Sequence, residues 1–264
     1  MKLTTKAVEK VWGRRDLPPP FDGAVGDDPV GEIWFDPPGE LAQVLVKYLF
    51  TSEKLSVQVH PNDDQAPAGS RGKEECWLVL TADPGATLAI GFKQEMSPEA
   101  MRAAALDGSI EDALEWHPVK PGDFFYLPAG TVHAIGPGLS LVEVQQNSDI
   151  TYRLFDYGRP RELHLDEGMA VAKGGAYPAA CRTSISPDTN ATLVEGPYFR
   201  FSQCSGAPSP EMLAKHSGAV MVLPLDGSVT VGGETIGGGE CGLARSLAEA
   251  DFAAARRTLL VSAA

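Results

Sequence analysis

Short apolar runs broken every few residues by glycine or proline are what most constrain the fold of this 264-residue chain. Residues 41–50, 55–60, 75–80, 86–91, 124–127 and 140–145 each read as a strand of modest length. Lys120-Pro121-Gly122-Asp123 and Gly136-Pro137-Gly138 have the composition of tight reversals between them. Strands this short at this spacing predict a sandwich or barrel. One interruption is helical. Ser97 suits an N-cap, Pro98 the first helical position and Gly108 the stop, around a run of strong helix formers. Ser109 through Trp116 reads as a second short helix capped by Ser109. Both helices are expected over one end of the β structure.

Within Leu55-Ser56-Val57-Gln58-Val59-His60 the apolar residues alternate with a hydroxyl, an amide and an imidazole. That period of two puts Ser56, Gln58 and His60 together on one face of a strand. A carboxylate at Glu75 and a second imidazole at His133, the latter after Pro128-Ala129-Gly130-Thr131-Val132, complete a scattered set of metal-capable groups. Two imidazoles, an amide and a carboxylate suit a borderline divalent ion such as Zn²⁺.

Bulk properties narrow the function. An apolar content of 43% is that of a folded globular protein. A formal charge of −13 argues against wholesale nucleic-acid binding and requires any anionic substrate to find a local basic pocket. The first residues hold no apolar core of signal-peptide length, and no stretch approaches the ~18 apolar residues of a spanning helix. Cys76, Cys181, Cys204 and Cys241 lie far apart without a CxxC pair, as expected for reduced thiols in a cytoplasmic protein. Oligomeric state is not readable from these features.

Gly122, Pro128, Gly130 and His133 follow the spacing G-x5-P-x-G-x2-H, which resembles the second metal motif of the cupin superfamily. That likeness implies a mainly β, double-stranded β-helix (jelly-roll) barrel. Gln58-Val59-His60-Pro61, Gly72-Lys73-Glu74-Glu75-Cys76-Trp77, Pro128 to Ala134, and Ser148-Asp149-Ile150-Thr151-Tyr152-Arg153 together resemble type I mannose-6-phosphate isomerases, in their short bacterial form. Trp12-Gly13 and Gly31-Glu32-Ile33-Trp34 fit as well, and the resemblance covers roughly residues 8 to 165. It implies Gln58, His60, Glu75 and His133 as metal ligands and Arg153 as the catalytic arginine, with Lys47, Lys73 and Glu143 at other active-site positions. Glu75 rather than Glu74 is the expected ligand, because it directly precedes Cys76.

The reaction so implied converts mannose 6-phosphate to fructose 6-phosphate through a cis-enediol, with one Zn²⁺ per chain. Mn²⁺ or Co²⁺ would also suit the donor set. Glu143, alternating with Val142 and Val144, should reach the polar face and competes with Lys73 and a metal-bound water for the role of base. Ser56, Lys47, Arg159 and Arg161 are candidate substrate and phosphate contacts. Two other functions use the same residues: an iron oxygenase of the cupin class built on His60, Glu75 and His133, and a non-catalytic sugar-binding cupin. The chain is expected to divide into a catalytic barrel at 1–165, with its helical insertion at about 97–116, and a smaller metal-free β domain at 166–264. His117 is expected in an exposed loop, and His164 and His216 in structural or surface places.

Overall fold

The structure, a computed structural model, describes residues 1–22, 26 and 28–264. Twelve strands come first in chain order: β1 (Thr5–Arg14), β2 (Val30–Phe35), β3 (Val44–Phe50), β4 (Val57–Val59), β5 (Glu75–Ala82), β6 (Thr87–Phe92), β7 (Leu114–Pro118), β8 (Asp123–Leu127), β9 (His133–Ile135), β10 (Leu139–Gln146), β11 (Tyr152–Phe155) and β12 (Arg182–Ser184). They form a seven-stranded sheet in the order β1-β2-β3-β10-β5-β8-β12 and a five-stranded sheet in the order β11-β4-β9-β6-β7. Every pairing in them is antiparallel. The two sheets face each other across Leu49, Trp77, Val79, Phe125, Leu127 and Leu141 on one side and Leu88, Ile90 and Ile135 on the other. This is the mainly β, cupin-type architecture that the strand spacing and the His133 motif anticipate.

Two further layers cover the outer faces. Helices α1 (Pro98–Asp107), α2 (Ile110–Ala113) and α3 (Leu165–Val171) lie against the five-stranded sheet. There Met101, Ala104, Ala105, Ile110 and Val171 bury Val57, Val59 and Ala134. The seven-stranded sheet is covered by the C-terminal part of the chain. It holds β13 (Ala191–Glu195), β14 (Phe199–Cys204), α4 (Pro210–Lys215), β15 (Val220–Gly227), β16 (Val229–Val231), β17 (Glu234–Ile236), β18 (Gly242–Ala244), β19 (Ala250–Asp251) and β20 (Ala255–Ala263). A five-stranded sheet, β13-β14-β20-β15-β18, sends Phe199, Phe201, Met221, Leu223, Leu259 and Val261 into one apolar cluster with Val46, Tyr48, Phe50, Leu78, Val142 and Val144. All seven residues of β3 are buried, because both of its faces meet a protein layer. A three-stranded sheet, β17-β16-β19, closes the far side. No helix of the described residues is long and apolar enough to cross a membrane.

Helix α1 has the expected ends: the Ser97 side chain accepts from the Ala100 amide, and Gly108 adopts φ 86°. The second helix does not run to Trp116. It stops at Ala113, and Leu114–Pro118 is strand β7, paired with β6 through Trp116↔Ala89 and His117↔Leu88. Ser109 is not its cap, since its backbone is already helical and its side chain makes no cap bond. His117 is therefore in a half-buried strand and not an exposed loop, with Arg182 Nη1 3.0 Å from its Nδ1. The helices also sit on a face of the sheet, not over an end, because the apolar side of β4 and β9 needs a cover.

Candidate metal centre and active site

The site is built from two rows of cross-strand neighbours that face each other. In the five-stranded sheet Arg153 stands opposite Gln58, and Gln58 opposite His133. In the seven-stranded sheet Trp34, Lys47, Glu143 and Trp77 are successive partners across β2, β3, β10 and β5, and Glu75 pairs with Gln145 one step away. Directly opposed side chains on one face of a sheet lie within interaction distance. Register therefore gathers residues separated by more than a hundred positions. Trp77 meets the His133 ring edge-on at 5.3 Å and joins the two rows.

His60, Glu75 and His133 are all buried, and one ligand atom from each lies within 4.8 Å of the others. His133 Nε2 is 3.4 Å from Glu75 Oε1, and His60 Nε2 is 3.7 Å from Glu75 Oε2. Both imidazoles are oriented from behind. His60 Nδ1 donates to Ile150 O at 2.7 Å and His133 Nδ1 to Thr131 O at 2.9 Å, so each ring turns an Nε2 lone pair toward the carboxylate. The turn that supplies Thr131 depends on Gly130. Its φ is 86°, its amide bonds to His60 O at 2.9 Å, and a Cβ there would lie 2.8 Å from Val171 O.

Burial pushes both histidines below the ordinary imidazole value. His133 falls to about 4 despite its bond to Thr131, and His60 also lies well below the ordinary value, with Lys73 and His133 adding to the effect of burial. Neutral imidazoles make these approaches to Glu75 ligand-like and not ion pairs. Glu75 Oε2 is fully buried and makes no well-formed hydrogen bond, with the Lys73 ammonium 3.2 Å away and His60 Nε2 at 3.7 Å. An acceptor left in this state beside two aimed nitrogen lone pairs fits a divalent cation. Among the described residues this is the one such group of histidine, cysteine and carboxylate ligands.

Next to it, beyond Gln58 and Lys73, lies a cavity of about 310 Å³ lined by Lys6, Lys10, Glu32, Trp34, Lys47, Ser56, Gln58, Lys73, Glu143, Asp149, Arg153 and Arg161, among others. A larger hollow of about 770 Å³ between β1 and the segment Gly238–Glu240 has no metal-capable cluster. Gln58 Nε2 is 3.2 Å from His133 Nε2, and Gln58 Oε1 accepts from Ser56 Oγ at 3.2 Å. Lys73 Nζ is 3.2 Å from Glu75 Oε2 and 3.3 Å from His60 Nε2.

Lys47 is buried between Glu143 at 3.0 Å and Glu32 at 3.4 Å. Burial works against its charge, but the two carboxylates outweigh burial and raise its pKa. Glu143 accepts from the Trp77 indole at 3.2 Å. Burial and the neighbouring Glu75 lift its pKa above the usual carboxylate value, against the pull of Lys47 and Lys73. Arg153 is half-buried, and among the described residues its guanidinium has no hydrogen bond or ion pair; burial and the Arg161 charge lower its pKa. Arg161 also lines the cavity. Arg159 does not, being held by Asp156 at 3.2 Å and Glu53 at 2.8 Å.

Two participants are absent from the sequence-derived set. Glu32 is buried in the cavity wall, where the Trp34 indole donates to it at 2.9 Å and Lys10 lies 3.4 Å away. Burial alone would raise its pKa, yet Lys47, Lys10 and Trp34 hold it at about 2. Lys10 is the second. The alternation of Lys6, Val8, Lys10 and Trp12 along β1 was the available signal, since all four face the cavity.

A two-sheet β fold with a buried two-histidine, one-carboxylate centre and a cationic cavity defines a metal-site enzyme of the cupin class. Comparison with known proteins specifies it further. The chain is 37% identical over 213 residues to mannose-6-phosphate isomerase of Streptococcus mutans, covering 76% of this chain and 67% of that protein. It is 39% identical over 173 residues to mannose-6-phosphate isomerase ManA of Bacillus subtilis, spanning 61% of this chain and 55% of that protein. No family model matches. Among solved structures, mannose 6-phosphate isomerase from Bacillus subtilis superposes with a TM-score of 0.82 at 24% identity, over 99% of this chain and 98% of that one. A zinc-bound mannose 6-phosphate isomerase superposes with a TM-score of 0.69 at 16% identity, again over 99% and 98%. At these identities the structural likeness speaks for the fold. The chain belongs to the mannose-6-phosphate isomerase family.

Proposed function

We propose that the chain interconverts mannose 6-phosphate and fructose 6-phosphate with one Zn²⁺ held by His60, Glu75 and His133, and with Gln58 as the fourth ligand once its amide turns the oxygen from Ser56 toward the ion. The observation that carries this reading is the buried His60–Glu75–His133 group beside an unpaired guanidinium, Arg153, in a cavity with six cationic side chains. When bound, the ion supplies Lewis-acid polarisation of the sugar's oxygens.

The chain's own residues do the rest. Glu143, whose Oε1 is paired with Lys47 at 3.0 Å and whose Oε2 accepts from the Trp77 indole, is the preferred base: it takes the C2 proton of the aldose and returns it to C1. Lys73 is less suited to that transfer, since its nitrogen is engaged by Glu75 and His60. In this reading it passes a proton between the two sugar oxygens. Arg153 is a fork of permanent cationic donors for the enediolate oxygen. Lys47, fixed between Glu32 and Glu143, keeps the base oriented. Arg161 and Ser56 take the phosphate, and Arg159 supports them from outside the cavity.

Residues 1–165 carry all of this chemistry, and 166–264 serve as a metal-free β layer. Four free cysteine thiols fit a cytoplasmic protein. A coupled assay for fructose 6-phosphate, with and without chelator, together with metal analysis, tests the reading. Turnover that disappears on chelation and returns with Zn²⁺ is expected. Zinc-loaded protein without turnover would make the chain a sugar-binding cupin, and bound iron with oxygen consumption would make it an oxygenase.

A further inference from the structure

Asp156 lies just beyond β11 and is 2% exposed. Its carboxylate is committed to two arginines. Arg161 Nε donates to Oδ2 and Arg161 Nη2 to Oδ1, both at 2.6 Å, and Arg159 Nη1 donates to Oδ1 at 3.2 Å. The two-point fork uses two of the five donors of Arg161 and fixes the plane of its guanidinium. Three donors remain, on a side chain that lines the cavity. Arg153, which lines the same cavity, makes no ion pair among the described residues.

The backbone around Asp156 is held in an uncommon shape. Tyr157 has φ 56° and Gly158 φ 77°, and the Arg159 amide closes the turn on Asp156 O at 3.0 Å. A non-glycine residue in that region costs on the order of 1 kcal/mol or more. Lys54 and Arg159, at 5.7 and 5.6 Å from the Tyr157 ring, help to hold it there. A strained turn, a buried carboxylate and two like-charged guanidiniums at one cavity wall form an arrangement that an anion would complete.

We propose that Asp156 is a positioning residue for phosphate: it locks Arg161 in the cavity wall, so that the three remaining donors of that guanidinium grip the phosphate of the sugar while Arg153 stays with the enediolate. This rests on the isomerase reading for the identity of the ligand, not for the existence of the fork. The test is a two-by-two comparison of wild type, Asp156→Asn, Arg161→Gln and the double variant. It measures KM and kcat for mannose 6-phosphate and, by calorimetry, binding of sorbitol 6-phosphate, which has no carbonyl to isomerise.

Asp156→Asn should raise KM and the sorbitol 6-phosphate dissociation constant about tenfold, with kcat changed less than about threefold. In the Arg161→Gln background the same change should add less than about twofold. Equal effects in both backgrounds, or a fall in kcat at unchanged KM, would overturn the assignment. If Asp156→Asn does not fold, Arg161→Lys, which cannot form the planar fork, should show the same weakening; unchanged binding there would also overturn it. Wild type that binds sorbitol 6-phosphate without turnover would sink the isomerase reading and leave the fork standing. An active enzyme whose binding is indifferent to all these variants would do the reverse.

Discussion

Lys47 sets the working state of the proposed base, and the sign of its effect can be worked out. Its ammonium stabilises ionised Glu143 across 3.0 Å, against burial and the nearby Glu75, which both favour the neutral acid. Only ionised Glu143 can accept a proton, so kcat/KM should rise with pH through its pKa, which lies above the ordinary carboxylate value. Lys47→Gln removes the cation, favours the neutral acid further and should move that acid limb to higher pH. A limb that stays in place, or moves down, would exclude Glu143 as the base. The metal and the chemistry separate in a second pair of variants. His133→Ala is expected to lose bound metal. Arg153→Ala should keep both metal and fold while kcat falls roughly 10²-fold or more. Equal metal loss in the two would make Arg153 structural. How far such residues were legible depends on whether local sequence carries their partners. His60 and His133 stand in short segments whose turns and alternation announce them. Glu32 and Asp156 do not, since each acquires its meaning from arginines or lysines that only register or a strained turn brings near.

Elements were legible where their ends are chemically marked. Ser97, Pro98 and Gly108 bracket α1, and the Ser97 cap is made as expected. Ser97→Ala should cost about 1 kcal/mol in denaturant unfolding and leave kcat alone, because α1 contributes nothing to the cavity wall. The segment after it reads as a helix from Ser109 to Trp116, whereas pairing with β6 draws residues 114–118 into a strand. Nor does the pattern of an isolated strand show that its polar face will be covered: the alternation marks Val57 and Val59 for burial, but Ser56 and His60 are buried as well because the second sheet faces them. In the C-terminal sheet, β14 and β20 enclose His216, whose ring nitrogens lie 2.8 Å from Ser262 Oγ and 2.9 Å from Ser202 Oγ. Burial, helped by the charges of Arg200 and Lys215, lowers its pKa to about 4. The unfolded chain, with a histidine near 6.5, binds more protons between these values. The neutral histidine's contribution is thus complete above pH 6.5 and is lost as pH falls toward 4, to a limit of roughly 3 kcal/mol. Urea unfolding of wild type and His216→Asn at pH 7 and pH 4.5 should show a markedly shallower loss in the variant. Parallel losses would mean that the ring is already charged in the folded protein.

Across the whole molecule, the candidate metal centre and the C-terminal layer meet on opposite faces of the seven-stranded sheet. Strands β3, β5 and β10 present Lys47, Glu75 and Glu143 on one face and Val46, Tyr48, Cys76, Leu78, Val142 and Val144 on the other. The second set is buried by Phe199, Phe201, Leu223, Leu259 and Val261, and β12, which follows the helical connector, adds an edge strand to the same sheet. Removing residues 166–264 would expose that entire apolar face and strip the edge from β8, so the fragment 1–165 is expected to aggregate when expressed alone. The same arrangement makes a quantitative prediction in the full chain. Phe201→Ala leaves a void under the sheet and should cost about 3–5 kcal/mol. If the layers unfold together, its denaturation midpoint should fall equally when followed by far-ultraviolet circular dichroism, by loss of bound metal and by loss of activity, although Phe201 touches none of the site residues. A variant in which circular dichroism splits into two steps, with metal and activity persisting through the first, would show that the catalytic sheets stand without their C-terminal cover. Coincident midpoints would place the geometry of Glu75 and Glu143 among the things that the C-terminal third of the chain stabilises.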